Sequence, residues 1–273
     1  MPSGPAATLG YRDNTPQPES KLEDFTLTLW AFAIAVSVLA GFVKGTVGFA
    51  MPMIMISLLS SVLPPDTALA ALIVPTVVTN LWQALRGGVA AAAGSAKLHW
   101  RFIAMVMVFI ALSAQLVTRL PPQVLYLTLG IPVVVFATAQ LVGWTLRIAQ
   151  QHRRRAELGI GAFAGVIGGI SGVWGPPTVI YLTALNTPKV EQIRVQGVVY
   201  GMGAVTLLFA HINSGVLNAA TLPLSLALVL PSLIGLGIGF ALQDRLDQVR
   251  FKRLTLLVLV VAGANLLRRG FFG

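Results

Sequence analysis

Lys44 is a full positive charge inside an apolar run that extends from Phe25 to Leu63. It sits among three glycines and a proline in "AGFVKGTVGFAMP", residues 40–52. The chemistry open to such a stretch is anion binding. Gly41, Gly45 and Gly48 would break a helix and let a ligand approach the backbone closely. A helix that restarts near Pro52 aims free N–H groups and a partial positive charge at the break. A lysine near a bilayer centre costs at least ~2.5 kcal/mol on insertion scales, and an anion beside it offsets that cost. A second stretch, "GVIGGISGVWGPP" at residues 165–177, repeats the pattern. At an offset of 124, Gly41 falls on Gly165, Gly45 on Gly169, Gly48 on Gly172, Pro52 on Pro176 and Pro64 on Pro188.

Two readings of these stretches compete. In one, the paired breaks form a substrate site. In the other, the glycines only let helices pack closely, and Lys44 snorkels to one membrane face. Two clusters in register favour the site. The candidate substrate-binding residues are then Lys44, Gly45, Thr46 and Gly48 in the first break, and Gly169, Ser171, Gly172, Trp174 and Gly175 in the second. Asn80 and Gln196, on the helices that follow each break, complete the set. Gln83, Gln115, Gln140, Asn213 and Asn265 read as interhelical hydrogen-bonding residues, and His211 as a helix-end histidine rather than a proton relay.

The elements that must carry these residues are membrane helices. The chain has 273 residues, of which 56% are hydrophobic and 10% charged, against about 25% charged in a soluble domain. Apolar runs long enough to span recur from end to end, so the fold is expected to be an all-α polytopic membrane protein. Long helices are expected at 66–86, 99–118, 122–147, 190–212, 220–242 and 252–268, with helix-starting prolines at Pro65 and Pro122. Two glycine-broken segments remain, 25–61 and 157–186, read as helical hairpins. That makes six long spans plus two hairpins, eight to ten helical segments in all. Residues 1–24 read as a disordered tail without a secretory signal. The first repeat is expected at 25–148, a basic linker at 149–156 and the second repeat at 157–271.

Charge sets the expected orientation. With the Arg147, Arg153, Arg154 and Arg155 linker on the cytoplasmic side, thirteen of the nineteen Lys and Arg residues lie there and five on the other side. Lys44 is the nineteenth. Both termini are then periplasmic and the two repeats are inverted. The net charge of +10 follows from these loops and does not indicate nucleic acid. No cysteine is present. The nine Asp and Glu residues fall in the tail or at loops and helix ends, so a carboxylate-based cation carrier is not expected. The histidines, His99, His152 and His211, are scattered, and neither a metal site, a cofactor site nor a catalytic constellation is expected.

With those motifs quoted, the chain resembles the TauE/SafE sulfite-exporter family from about residue 28 onward. Gly168, Gly169, Gly172, Gly175, Pro176 and Pro177 follow the family's "G-G-x-x-G-x-x-G-P-P" habit. The first motif departs from it at Phe49, Ala50 and Met51, and Lys44 is unusual. The resemblance implies a non-enzymatic transporter of a small sulfur-containing anion, sulfite or an organosulfonate, exported across the bacterial cytoplasmic membrane by a monomer or homodimer. Import of an organosulfonate or other organic anion, or a passive anion channel, stays open. A membrane-embedded sulfur-handling enzyme ranks below both.

Overall fold

The computed structural model describes residues 26–144, 147–242 and 247–272. The expected disordered tail, 1–24, lies outside the described residues. All regular structure among the described residues is helical. The first half contains α1 (Leu27–Val47), α2 (Met51–Leu59), α3 (Pro65–Leu85), α4 (Val89–Leu98), α5 (Trp100–Ser113, continued as a 3₁₀ turn to Arg119) and α6 (Pro122–Leu141). The second contains α7 (Arg153–Ser171), α8 (Gly175–Ala184), α9 (Lys189–Ser214), α10 (Leu222–Ala227), α11 (Val229–Leu242) and α12 (Gln248–Phe272). Six segments are long and apolar enough to cross a membrane: 27–46, 65–85, 100–119, 122–141, 194–214 and 222–242.

Several boundaries differ from the sequence reading. The span expected at 99–118 is preceded by a separate helix, α4, built from the alanine-rich "VAAAAGSAKL"; alanine favours helix even where little apolar surface is buried. Helix α6 stops at Val142 rather than 147, where Gly143 turns to φ +71°. Helix α7 starts at Arg153, inside the expected linker. An Arg153–Glu157 pair one turn apart, at 2.9 Å, ties that first turn down. The first break separates a 21-residue arm from a 9-residue arm. The long arm therefore measures about 32 Å and the short one about 14 Å.

The two halves pack through each other. Helix α1 lies on α11 of the second half, and α7 lies on α5 of the first. Helix α3 lies on α9, and α6 on α12. Exchanging the halves leaves this set of pairings unchanged. The glycines match in detail. A Cβ on Gly45 would lie 2.5 Å from the Leu236 carbonyl oxygen and 2.9 Å from the Phe240 amide nitrogen. A Cβ on Gly169 would lie 2.5 Å from the Ile110 carbonyl oxygen and 2.9 Å from the Ala114 amide nitrogen. Gly41 and Gly165 make the same kind of approach one turn earlier. The first two glycines of each motif thus remove side chains at a backbone-to-backbone crossing.

The third glycine has a different task. Gly48 at φ +83° and Gly172 at φ +70° end α1 and α7 in the left-handed conformation. The Gly48 N–H donates to the Lys44 carbonyl and the Gly172 N–H to the Gly168 carbonyl, each at 2.8 Å. These are glycine C-caps.

Gly169→Ala, with no room for its methyl, is expected to lower stability by about 1–3 kcal/mol. Gly159→Ala, where the same methyl meets nothing within 4 Å, is expected to leave it unchanged or slightly raised. Thermal unfolding of the detergent-solubilised variants checks both.

Candidate functional site

The two breaks open into one pocket. It encloses about 320 Å³ of space free of atoms. From the first half come Lys44 at the last turn of α1, Phe49 and Ala50 in the break, Pro52 and Met53 at the start of α2, and Asn80 on α3. From the second come Gly172, Val173 and Trp174 in the break, Gly175 at the start of α8, and Tyr200 on α9.

Lys44 reaches this place because Gly48 stops α1 one turn after it. Its side chain is only 2% exposed. The Nζ ammonium donates to Asn80 Oδ1, and Asn80 Nδ2 donates to the Tyr200 carbonyl at 3.3 Å. The ammonium is therefore bolted through α3 to α9. No described carboxylate pairs with it: the ion pairs run Arg101–Glu157, Arg153–Glu157 and Arg250–Asp247. Lys44 does not snorkel to a membrane face. It is a buried amine that no carboxylate among the described residues pairs with.

The half-helix ends add donors. In the first turn of α2 these are the N–H groups of Met51 and Met53, since Pro52 has none. In α8 Pro176 and Pro177 leave only Gly175. With the ammonium, these donors come from three elements, α1, α2 and α8. Elsewhere the wall is apolar or aromatic. Tyr200 spends its hydroxyl on the Gly175 carbonyl at 3.3 Å, which fixes α8 against α9. Phe49 abuts Phe136 edge-on at 6.0 Å. Ala50 adopts φ +78°, a conformation unfavourable for a side-chain-bearing residue, at the point where the chain turns into α2.

The structure sorts the expected site residues into three groups. Lys44, Asn80, Gly172, Trp174 and Gly175 line the pocket. Gly48 and Gln196 lie beside it. Gln83 Nε2 donates to the Gly48 carbonyl at 3.1 Å, and a Cβ on Gly48 would lie 3.8 Å from Gln196 Oε1. Gly45, Thr46, Gly169 and Ser171 do not line it. Gly45 and Gly169 face neighbouring helices, as described above. Thr46 turns its hydroxyl back to the Val43 carbonyl at 2.9 Å, and Ser171 to the Ile167 carbonyl at 2.7 Å. Phe49, Met53 and Tyr200 line the pocket but carried no sequence signal, because an aromatic or Met in a span reads as core. Gln115 makes the expected interhelical bonds, donating to the Ala210 carbonyl at 3.1 Å and accepting from Asn213 at 2.9 Å.

A pocket of this construction suits an anion at the meeting point of two broken membrane helices. A family model described as "Sulfite exporter TauE/SafE" matches residues 33–266. The chain belongs to the TauE/SafE family. The matched region runs from α1 to α12 and takes in both breaks. No curated protein and no solved structure matches the chain.

Membership in the TauE/SafE family and six candidate spans together make this a multi-pass membrane protein of a transporter family. The polar bridge inside the pocket can be tested without any substrate. Asn80→Leu strands a buried ammonium and is expected to cost about 1.5–3 kcal/mol. Adding Lys44→Met to it removes the stranded charge and is expected to recover most of that loss. Thermal unfolding of the two single variants and the double variant measures the coupling.

Proposed function

We propose that the protein carries a small monoanion bearing a sulfur oxyacid group, sulfite as its monoanion or an organosulfonate, outward across the bacterial cytoplasmic membrane. The observation that carries the reading is the Lys44 ammonium, buried without a carboxylate where both breaks meet. One cation balances one negative charge. A dianion would leave a net charge in a site walled by Phe49, Met53, Trp174 and Tyr200, where an unpaired charge is costly. The same walls suit a short organic tail. A planar or tetrahedral oxyanion can accept from the ammonium and from the N–H groups of Met51, Met53 and Gly175 together, as anions do at helix N-termini.

Two inverted repeats fit the exchange of packing partners and the matched glycine crossings, with the basic linker inside and both termini outside. Alternating access then amounts to the two halves moving relative to each other around the shared pocket. Outward movement of a monoanion is favoured by about 2.3 kcal/mol per 100 mV of inside-negative potential, so export needs no coupling ion. Gly172, Trp174 and Gly175 provide contacts but no nucleophile or acid–base pair, which favours transport over catalysis.

Proteoliposomes loaded with radiolabelled sulfite or a short alkanesulfonate are expected to release it faster when the interior is made negative, and release should saturate with concentration. Lys44→Met is expected to slow release at least tenfold, about 1.4 kcal/mol, while the protein remains folded. Absence of flux for every sulfur anion tried would overturn the substrate class. Unchanged flux in Lys44→Met would remove Lys44 from the site.

A further inference from the structure

A second cavity lies at the far end of α8. It encloses about 440 Å³ and is lined by Leu98, His99, Gln150, Arg153 and the stretch Leu185–Pro188, with Glu191 on α9. His99 caps the start of α5 and is 2% exposed. Its Nδ1 lies 2.9 Å from the Tyr181 hydroxyl oxygen. Tyr181 in turn donates to Glu157 Oε1 at 3.3 Å. Since that proton points at Glu157, Nδ1–H must donate to the Tyr181 oxygen. Nε2 is then a bare lone pair, with no hydrogen-bond partner among the described residues. A buried imidazole acceptor of this kind, on a residue that lines the cavity together with Glu191, can take up a proton.

The sequence placed Glu157 among helix-end carboxylates. It is 1% exposed. Arg153 on its own helix and Arg101 on α5 both reach it, at 2.9 and 3.3 Å. Tyr181 also stacks on Phe102, with ring centroids 4.2 Å apart. Helix α8 is thus held at this end by α5 and α7. At its other end, six residues or about 9 Å along the axis, Gly175 supplies the N–H of the anion pocket.

We infer that His99, hydrogen-bonded through Tyr181 to Glu157, is the proton-binding site of this transporter and that its occupancy is coupled to the anion pocket through α8. The inference rests on the anion-pocket reading above. The proton adds to Nε2, and the ring becomes an imidazolium that keeps its Nδ1–H···Tyr181 bond. Three charged groups act on it. Desolvation of the ring, the larger influence, and Arg153 hold it neutral, while Glu157 and Glu191 favour the charged form. Burial thus lowers the His99 pKa below its usual value, and acidification fills the site. An added positive charge favours an anion nearby, and by reciprocity the bound anion favours the proton.

Two measurements test this. With only three histidines in the chain, ring-labelled histidine NMR of the detergent-solubilised protein resolves His99, assigned with His99→Gln. Its resonance is expected to titrate below the usual imidazole midpoint, as burial lowers it. The midpoint should move down in Glu157→Gln and up when methanesulfonate, a monoanion throughout the titration, is added. A ring that stays neutral, or a midpoint indifferent to both changes, overturns the proton site. In proteoliposomes held at equal pH on both faces, acidification should lower the half-saturating concentration of methanesulfonate. That response should vanish in His99→Gln, and its persistence would overturn the coupling. If methanesulfonate is neither bound nor moved, the transport reading fails, and the Glu157→Gln titration still decides whether His99 is a proton site.

Discussion

A buried ammonium without a carboxylate partner is the constraint around which the rest of the molecule is arranged. Taking Lys44 out of water is expensive, and a single hydrogen bond donated to the neutral Asn80 amide offsets little of it. The bilayer adds a second demand, because a backbone that leaves its helix at that depth must find partners in protein. Gly48 and Gly172 meet it by closing α1 and α7 with C-cap hydrogen bonds. The chain then restarts as α2 and α8 within a few residues. At the pocket the ammonium, held by Asn80, meets the start of α2 and of α8.

The frame around the pocket makes this arrangement rigid. Helix α1 is pressed to α11 and α7 to α5 through glycine crossings that admit no side chain. Helix α3 brings Asn80, and α9 brings Tyr200, whose carbonyl anchors Asn80 and whose hydroxyl anchors Gly175. Each half of the chain therefore holds the other half's broken helix. This interlock explains why the site contains residues from both halves and why neither half would build it alone. Helix α8 extends the interlock outward. Its inner end is part of the pocket and its outer end is tied to His99, Glu157 and two arginines.

Much of this could be read from residue type and spacing. The paired glycine–proline registers gave away the two breaks, and an isolated lysine and asparagine in apolar spans marked the polar side of the pocket. Glycine itself was ambiguous. Its missing Cβ faces a neighbouring helix at Gly45 and Gly169 and marks the pocket edge at Gly172 and Gly175, and nothing local distinguishes the two uses. Thr46 and Ser171 looked available as ligands, but hydroxyls on helices commonly turn back to the carbonyl three or four residues earlier. Tyr200 and Phe49 were hidden because a pocket wall and a core use the same side chains. Glu157 was hidden because its burial comes from α5 and α8, which lie far from it in sequence.

The central claim is that both breaks and Lys44 bind a single anion. The most direct test is a structure of the protein with a selenium-containing oxyanion, such as selenite, located by its anomalous scattering. One peak is expected, within hydrogen-bonding reach of Lys44 Nζ and of the Gly175 N–H, and absent in Lys44→Met. A peak elsewhere with an empty pocket, or the same peak in Lys44→Met, would contradict the account.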